Sequence, residues 1–302
     1  MTKQNLSSTA FIGLGAMGFP MAGHLQKAGH ETAVYNRTTA TASRWHSQYG
    51  GSTAATPGAA AAQADVVMVC VGNDEDVRSV VLGPDGAIAH MSPGTLLVDH
   101  TTASVELARE LHLRCNERGI GFLDAPVSGG QAGAENGQLT IMVGGDAEAF
   151  DRVSPVLGVY AKSLKHMGAC GAGQLTKMVN QICIAGVLQG LAEGLHFAER
   201  AGLDSTTVID AISQGAAQSW QMDNRHATMI EGRFDFGFAV DWMRKDLGIV
   251  LAAARELATP LPLTALVDQF YGDVQNLGGG RWDTSSLIAR LRALSIETSH
   301  SD

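Results

Sequence analysis

"TAFIGLGAMGFPMAGHLQKAG", residues 9–29, decides the reading of the first half of the chain. TAFI is short, apolar and β-prone, and from Met17 apolar residues recur at helical spacing until Gly29 stops the run. Between them lies GLGAMG. The pattern G-x-G-x-x-G is weak in a chain with 36 glycines, but here it joins a strand to a helix, the context that gives it meaning. Gly13 permits the tight turn, Gly15 lets backbone amides approach a pyrophosphate, and Gly18 allows close packing of helix on strand. The helix N-terminus adds partial positive charge. Gly13, Leu14, Gly15, Ala16, Met17 and Gly18 are therefore the candidate phosphate turn of a dinucleotide site.

The alternation continues outward from this stretch. ETAVYNRT (31–38) reads as a second strand, followed by a Thr-started helix up to Gly50 and Gly51. ADVVMVCVG (64–72) is apolar almost throughout, as when both faces of a strand are buried. GTLLVDHTT (94–102) and IGFLDAPVSGG (120–130) repeat the pattern, and LTIMVGG and KSLKHMG follow. Strands alternating with helices imply right-handed crossovers and a mostly parallel, doubly wound sheet of the Rossmann type. From about residue 173 helical periodicity takes over, through TTVIDAISQG, DWMRKDLGIVLAAARELA and LPLTALVDQFYGDVQNLG. The expectation is an α/β dinucleotide-binding domain over 1–172, then an all-α domain over 173–302 entered through a long helix. The polar end, SIETSHSD, reads as disordered.

Composition narrows the function. A formal net charge of −9 argues against nucleic acid as a partner. No run of about 18 uninterrupted apolar residues is present, so no membrane span is expected. The four cysteines show no paired spacing, and the start of the chain lacks a signal-peptide h-region, which fits a reducing cytoplasm. Cys70 and Cys183 lie in apolar runs and read as buried thiols.

The end of the second strand selects the dinucleotide. NAD sites usually place an acid there to bind the ribose 2′-hydroxyl, whereas this chain has Asn36, Arg37 and Thr38. Arg37 can pair with a 2′-phosphate, and Asn36 and Thr38 donate without repelling it. NADP is the expected cofactor, with NAD the second candidate.

Three stretches carry the reacting end. Thr101 and Thr102 end a strand at the carboxyl edge of the sheet, where they can meet a ligand or cap the helix that begins at TTASVELA. DAPVSGG reads as a loop whose amides beside Ser128 suit a carboxylate. In GAGQLTKMVNQ (171–181), Lys177 stands three residues before Asn180 and four before Gln181, which puts all three on one helical face. A lysine near a helix start opposes the macrodipole, so it fits a proton-transfer role better than a structural one. Glu193 and His196 form E-x-x-H, but one such pair is no metal site without a second copy, and no metal is expected.

With those residues in view, the chain resembles the β-hydroxyacid dehydrogenases, the group of 3-hydroxyisobutyrate dehydrogenase, 2-hydroxy-3-oxopropionate (tartronate semialdehyde) reductase and the glyoxylate/succinic semialdehyde reductases. The resemblance runs over about residues 9 to 293 and rests on FIGLGAMGFPMAGHL, DAPVSGGQAGAENGQLTIMVGG, GAGQLTKMVNQ and MRKDLGIVLAAA. It implies Lys177 as the catalytic acid/base, Ser128, Gly129 and Gly130 as the substrate-carboxylate loop, and Asn180, with Gln181 beside it, as substrate-holding amides. It implies Val71, Gly72, Thr102 and Lys245 as further cofactor contacts, a small carboxylate-bearing substrate, and a homo-oligomer, dimer or tetramer. His24 stands where the family often has Asn. Gln181 replaces the second Asn of a common pair, a version similar to the tartronate semialdehyde reductases. Three rivals remain: an imine reductase on the same scaffold, whose relatives generally lack the lysine; a non-catalytic dinucleotide-binding protein, which needs neither Lys177 nor Ser128; and 6-phosphogluconate-type chemistry, which wants a basic cluster for the sugar phosphate that the helical half does not obviously offer.

Overall fold

Strand β1 (Ser8–Ile12) is buried at all but its first residue, as a strand between two layers must be. Alternate side chains serve opposite layers: Phe11 joins one core and Ala10 and Ile12 the other. The computed structural model describes residues 7–298. It separates into two units, Met1–Lys177 and Met178–Asp302.

In the first unit β1 leads to α1 (Gly18–Lys27), β2 (Glu31–Tyr35), α2 (Thr39–Tyr49), β3 (Ser52–Thr53), α3 (Pro57–Ala61), β4 (Val66–Val69) and α4 (Asp74–Leu82). Then follow β5 (Leu96–Asp99), α5 (Val105–Asn116), β6 (Gly121–Asp124), β7 (Val127–Ser128), α6 (Gly130–Glu135), β8 (Leu139–Gly145), α7 (Ala147–Leu157) and β9 (Ala161–Gly168). The sheet runs β3-β2-β1-β4-β5-β6-β8-β7, with β9 also on β8. Pairs from β3 to β6 are parallel, and β8 is antiparallel to β6 and β7. The order 3-2-1-4-5-6 is that of a Rossmann sheet, and its direction reverses between β1 and β4, where such sheets bind ligands.

Helix α8 (Ala172–Arg200) starts in the first unit and continues into the second, which also holds α9 (Ser205–Ile212), α10 (Trp220–Glu231), α11 (Val240–Glu256), α12 (Pro262–Asn276) and α13 (Leu287–Thr298). Leu188, Leu195, Met243, Leu247, Val267 and Tyr271 form its core.

Several local expectations are corrected. Neither Thr101 nor Thr102 caps α5, because the helix starts at Val105 and Ser104 accepts the amide of Leu107. DAPVSGG is not all loop: Val127 and Ser128 pair with β8, and Gly130 begins α6. Cys183 is exposed, since it lies opposite the buried stripe of α8. Ser295 to Thr298 belong to α13, and the rest of the expected disordered end lies outside the described residues. The helical half also contains one isolated bridge, Ala239 with Asp283. By length and composition α8 is long and apolar enough to cross a membrane, a test that a core helix also passes.

Burial leaves a polar pair at the end of β5. His100 Nδ1 lies 2.7 Å from the Ala125 carbonyl, which only accepts, so Nδ1 carries the proton and Nε2 accepts from Tyr160 at 2.9 Å. Desolvation pulls this imidazole from 6.5 down to about 4. Desolvation also pushes the Asp99 carboxyl from 3.8 up to about 7, against the pull of its Thr101 hydrogen bonds. A depressed histidine makes stability rise with pH between about 4 and 6.5; a raised carboxylate makes it fall between 3.8 and about 7. The two slopes oppose each other. Asp99→Asn should remove the second, so the melting temperature of the variant relative to wild type becomes more favourable between about pH 5 and about pH 8. An equal difference at both pH values would show that Asp99 does not titrate there.

Candidate functional site

The successive turns at the carboxyl edge of the parallel strands are laced to one another. Gly13 N donates to the Tyr35 carbonyl at 2.9 Å, and Leu14 N donates to Asn36 Oδ1 at 2.9 Å. Asn36 Nδ2 in turn donates to the Thr38 carbonyl at 3.1 Å. Asn36 thus shapes the glycine turn, a role its sequence position did not suggest. Val71 N donates to Thr101 Oγ1 at 3.1 Å, and His100 N to the Val69 carbonyl at 2.8 Å.

The glycines divide into those that make the turn and one that faces open space. Gly13 has φ +96°, and a Cβ there would drive into the Cys70 carbonyl. A Cβ on Gly18 would strike the Gly13 carbonyl. At Gly15 a Cβ would meet nothing within 4 Å, so the backbone there borders room for a ligand. Leu14 is buried, Ala16 exposed and Met17 half-buried. This turn, at the switch point and at the start of α1, fits the pyrophosphate of a dinucleotide. Arg37 is 88% exposed with Nη1 3.6 Å from Asp76 Oδ1, and Thr38 is exposed. Val71, Gly72 and Thr102 are half-buried at the same edge.

The candidate substrate residues of the first unit follow β6. Ser128 is half-buried, and Gly129 and Gly130 are exposed with φ +136° and +62°. His24 of α1 places Nε2 3.0 Å from the Ala134 carbonyl and 3.1 Å from that of Glu135, tying α1 to the end of α6.

Lys177 owes its place to two residues the sequence reading missed. Helix α8 has no acid in its first turn. Asp124, at the end of β6, supplies one from afar: Gly171 N donates to Oδ1 at 2.7 Å and Gln174 N to Oδ2 at 2.9 Å. Burial raises the pKa of this carboxyl, and the backbone donors pull it back. Room for the contact comes from Gly173, where a Cβ would lie 2.6 Å from the Asp124 carbonyl. Gln174 adds a second tie, accepting from Ala103 N at 3.1 Å and donating to the Thr101 carbonyl at 2.7 Å. Lys177 follows three residues later on the buried face, at 8% exposure.

The second unit gathers Asn180, Gln181 and Lys245 around Asp246. Asn180 Nδ2 donates to Gln181 Oε1 at 2.8 Å, and Gln181 Nε2 donates to Asp246 Oδ2 at 2.6 Å. Lys245 Nζ lies 3.0 Å from Asp246 Oδ1. Lys245 is therefore not the ordinary exposed lysine that its helix position suggests. Asp246 could have been found from its spacing, since it shares the buried stripe of α11 with Met243, Leu247 and Val250. Among the described residues no group of three or more His, Cys, Asp or Glu is placed to hold a metal. His196 instead meets Ser295 at 3.0 Å, and Glu193 accepts from Gln189.

Known proteins place these features in context. Residues 8–169 match the family described as the NAD binding domain of 6-phosphogluconate dehydrogenase, and residues 171–291 match the one described as NAD-binding of NADP-dependent 3-hydroxyisobutyrate dehydrogenase. An uncharacterized oxidoreductase of Shewanella frigidimarina is 63% identical over 95% of this chain and 98% of its own. A probable mitochondrial 3-hydroxyisobutyrate dehydrogenase-like protein of Arabidopsis thaliana is 40% identical over 96% and 88%. The structure of a Mycobacterium tuberculosis 3-hydroxyisobutyrate dehydrogenase with L-serine is 33% identical, with a TM-score of 0.86 over 95% of this chain and 100% of that one.

The glycine geometry gives a test. Gly15→Ala should leave the melting temperature near wild type while weakening dinucleotide binding, whereas Gly13→Ala should lower the melting temperature by its strain and clash. Titration by nicotinamide fluorescence, with thermal unfolding alongside, separates the two. Undiminished binding by Gly15→Ala would move the pyrophosphate elsewhere.

Proposed function

The chain belongs to the β-hydroxyacid dehydrogenase family, as an NAD(P)-dependent hydroxyacid dehydrogenase, and from that premise we propose that it interconverts a short 3-hydroxy or 2-hydroxy acid and its semialdehyde with NADP(H). The activity is of the 2-hydroxy-3-oxopropionate reductase or 3-hydroxyisobutyrate dehydrogenase type. The observation that carries the reading is Lys177, an amine on the buried face of a helix whose first turn is held by Asp124.

A bound nicotinamide supplies the hydride in one direction and accepts it in the other. In this reading the Ser128–Gly130 segment grips the substrate carboxylate and so fixes the reacting carbon. As the carbonyl is reduced, negative charge grows on its oxygen, and the Lys177 ammonium stabilises that charge and gives up a proton. In oxidation the neutral amine takes the hydroxyl proton. Asn180, one turn further along α8, holds the substrate. The L-serine in the Mycobacterium structure supports the substrate class, because L-serine is itself a 3-hydroxy acid. Arg37 and the NADP-dependent family matched by residues 171–291 support NADP over NAD.

The same reading includes a homo-oligomer. Leu175, Val179, Val187 and Phe197 lie exposed along α8, an apolar stripe of the kind a second copy covers.

Lys177→Ala should lower turnover by roughly 10²–10⁴-fold while leaving NADPH binding largely intact. Unchanged turnover would remove the lysine from the chemistry. Arg37→Ala should weaken NADPH far more than NADH, and equal losses would show that no 2′-phosphate is read there. A panel of 3-hydroxyisobutyrate, 3-hydroxypropionate, glycerate and their semialdehydes with both cofactors identifies the substrate. Turnover of none of them would overturn the reading.

A further inference from the structure

We propose that Asp246 and Gln181 are positioning residues, and that together they fix which side of the Asn180 amide meets the substrate. The proposal rests on the reading above that Asn180 holds the substrate, and it moves Gln181 from the substrate to the protein side of the site.

A carboxylate accepts and cannot donate, so the buried Asp246 requires the NH₂ end of Gln181 to face it. That contact is 2.6 Å, and Gln181 Nε2 also lies 3.6 Å from Met243 Sδ. With its nitrogen committed, Gln181 presents Oε1 on the other side, where only a donor is welcome. Asn180 Nδ2 meets it at 2.8 Å. The Asn180 amide is thereby oriented in turn, its nitrogen toward Gln181 and its oxygen away. Consecutive residues on a helix do not normally face each other, so this contact reflects a selected pair of rotamers. At 2% exposure Gln181 is closed off from a ligand, whereas Asn180 is only partly buried.

Side-chain length matters here. Asp246 lies on α11 and Gln181 on α8, and the longer glutamine reaches across. The other carboxylate oxygen of Asp246 stands 3.0 Å from Lys245 Nζ, an ion pair. One carboxylate therefore adjoins both an amine proposed for the cofactor and the amide chain proposed for the substrate.

The test is a double-mutant cycle on Asn180→Ala and Gln181→Leu, with Gln181→Met as a second variant of similar length should the leucine protein fail to fold. Steady-state kinetics use whichever of 3-hydroxyisobutyrate, 3-hydroxypropionate or glycerate gives the highest kcat/KM, and NADPH affinity is followed by fluorescence. Each single variant should raise the acid's KM by about tenfold with a smaller change in kcat, and NADPH affinity should stay at the wild-type value. The double variant should be no worse than Asn180→Ala alone, because Gln181 acts only through Asn180. Asp246→Asn should raise KM as well, since an amide at 246 no longer dictates the Gln181 orientation. Additive effects in the double variant would overturn the relay, as would a wild-type KM in Gln181→Leu and Gln181→Met beside a raised KM in Asn180→Ala. A wild-type KM in Asn180→Ala would instead overturn the substrate reading on which the relay stands.

Discussion

The buried carboxylate of Asp124 is the interaction on which the position of Lys177 depends. It ends β6 inside the protein, and its two oxygens take the amides of Gly171 and Gln174. A helix of 29 residues with no acid in its first turn presents unsatisfied donors and the positive end of its dipole. Either the carboxylate or the donors alone would be costly to bury; together each answers the other. The contact is therefore fixed in direction and depth, and with it the start of α8. Lys177 lies one and a half turns in, so its Cα is placed by the sheet and not by a loop.

That anchor sits among others of the same kind. Thr101 Oγ1 takes the Val71 amide, Asn36 takes that of Leu14, and Gln174 spans the Thr101 carbonyl and the Ala103 amide. All lie at the carboxyl edge of parallel strands, where backbone groups leaving the sheet need new partners. A rigid edge of this sort holds turns in place for a ligand while Gly15 leaves room beside them.

The fold was legible in the sequence because its signals are local. The apolar run Val66–Val69, the glycine turn after Ile12 and the shift to helical spacing beyond residue 173 each follow from short-range rules. Lys177, Ser128 and the glycines were singled out for another reason, the joint order of four stretches typical of a family. What stayed hidden was pairing over long separations. Nothing near Asp124 says that it caps a helix 47 residues later, and nothing near Gln181 points to Asp246, 65 residues on. Thr101 and Thr102 misled because a hydroxyl before a helix looks like a cap wherever it stands, while the true cap is decided by where the backbone first turns helical, here after Ser104.

The polar residues around Lys177 point to a final step. From sequence Gln174 is passed over and Gln181 is assigned to the substrate; the two are 1% and 2% exposed and engaged with protein groups. They stand three residues before and four after the lysine, on its own face of α8. Their partners each dictate an amide orientation: the Thr101 carbonyl and Ala103 amide for one, the Asp246 carboxylate for the other. A lysine side chain has many rotamers and loses entropy when held still. Flanked along α8 by two amides whose ends are fixed by those partners, the Lys177 side chain has fewer rotamers open to it on that face. The two buried amides on this face of α8 are thus satisfied within the protein.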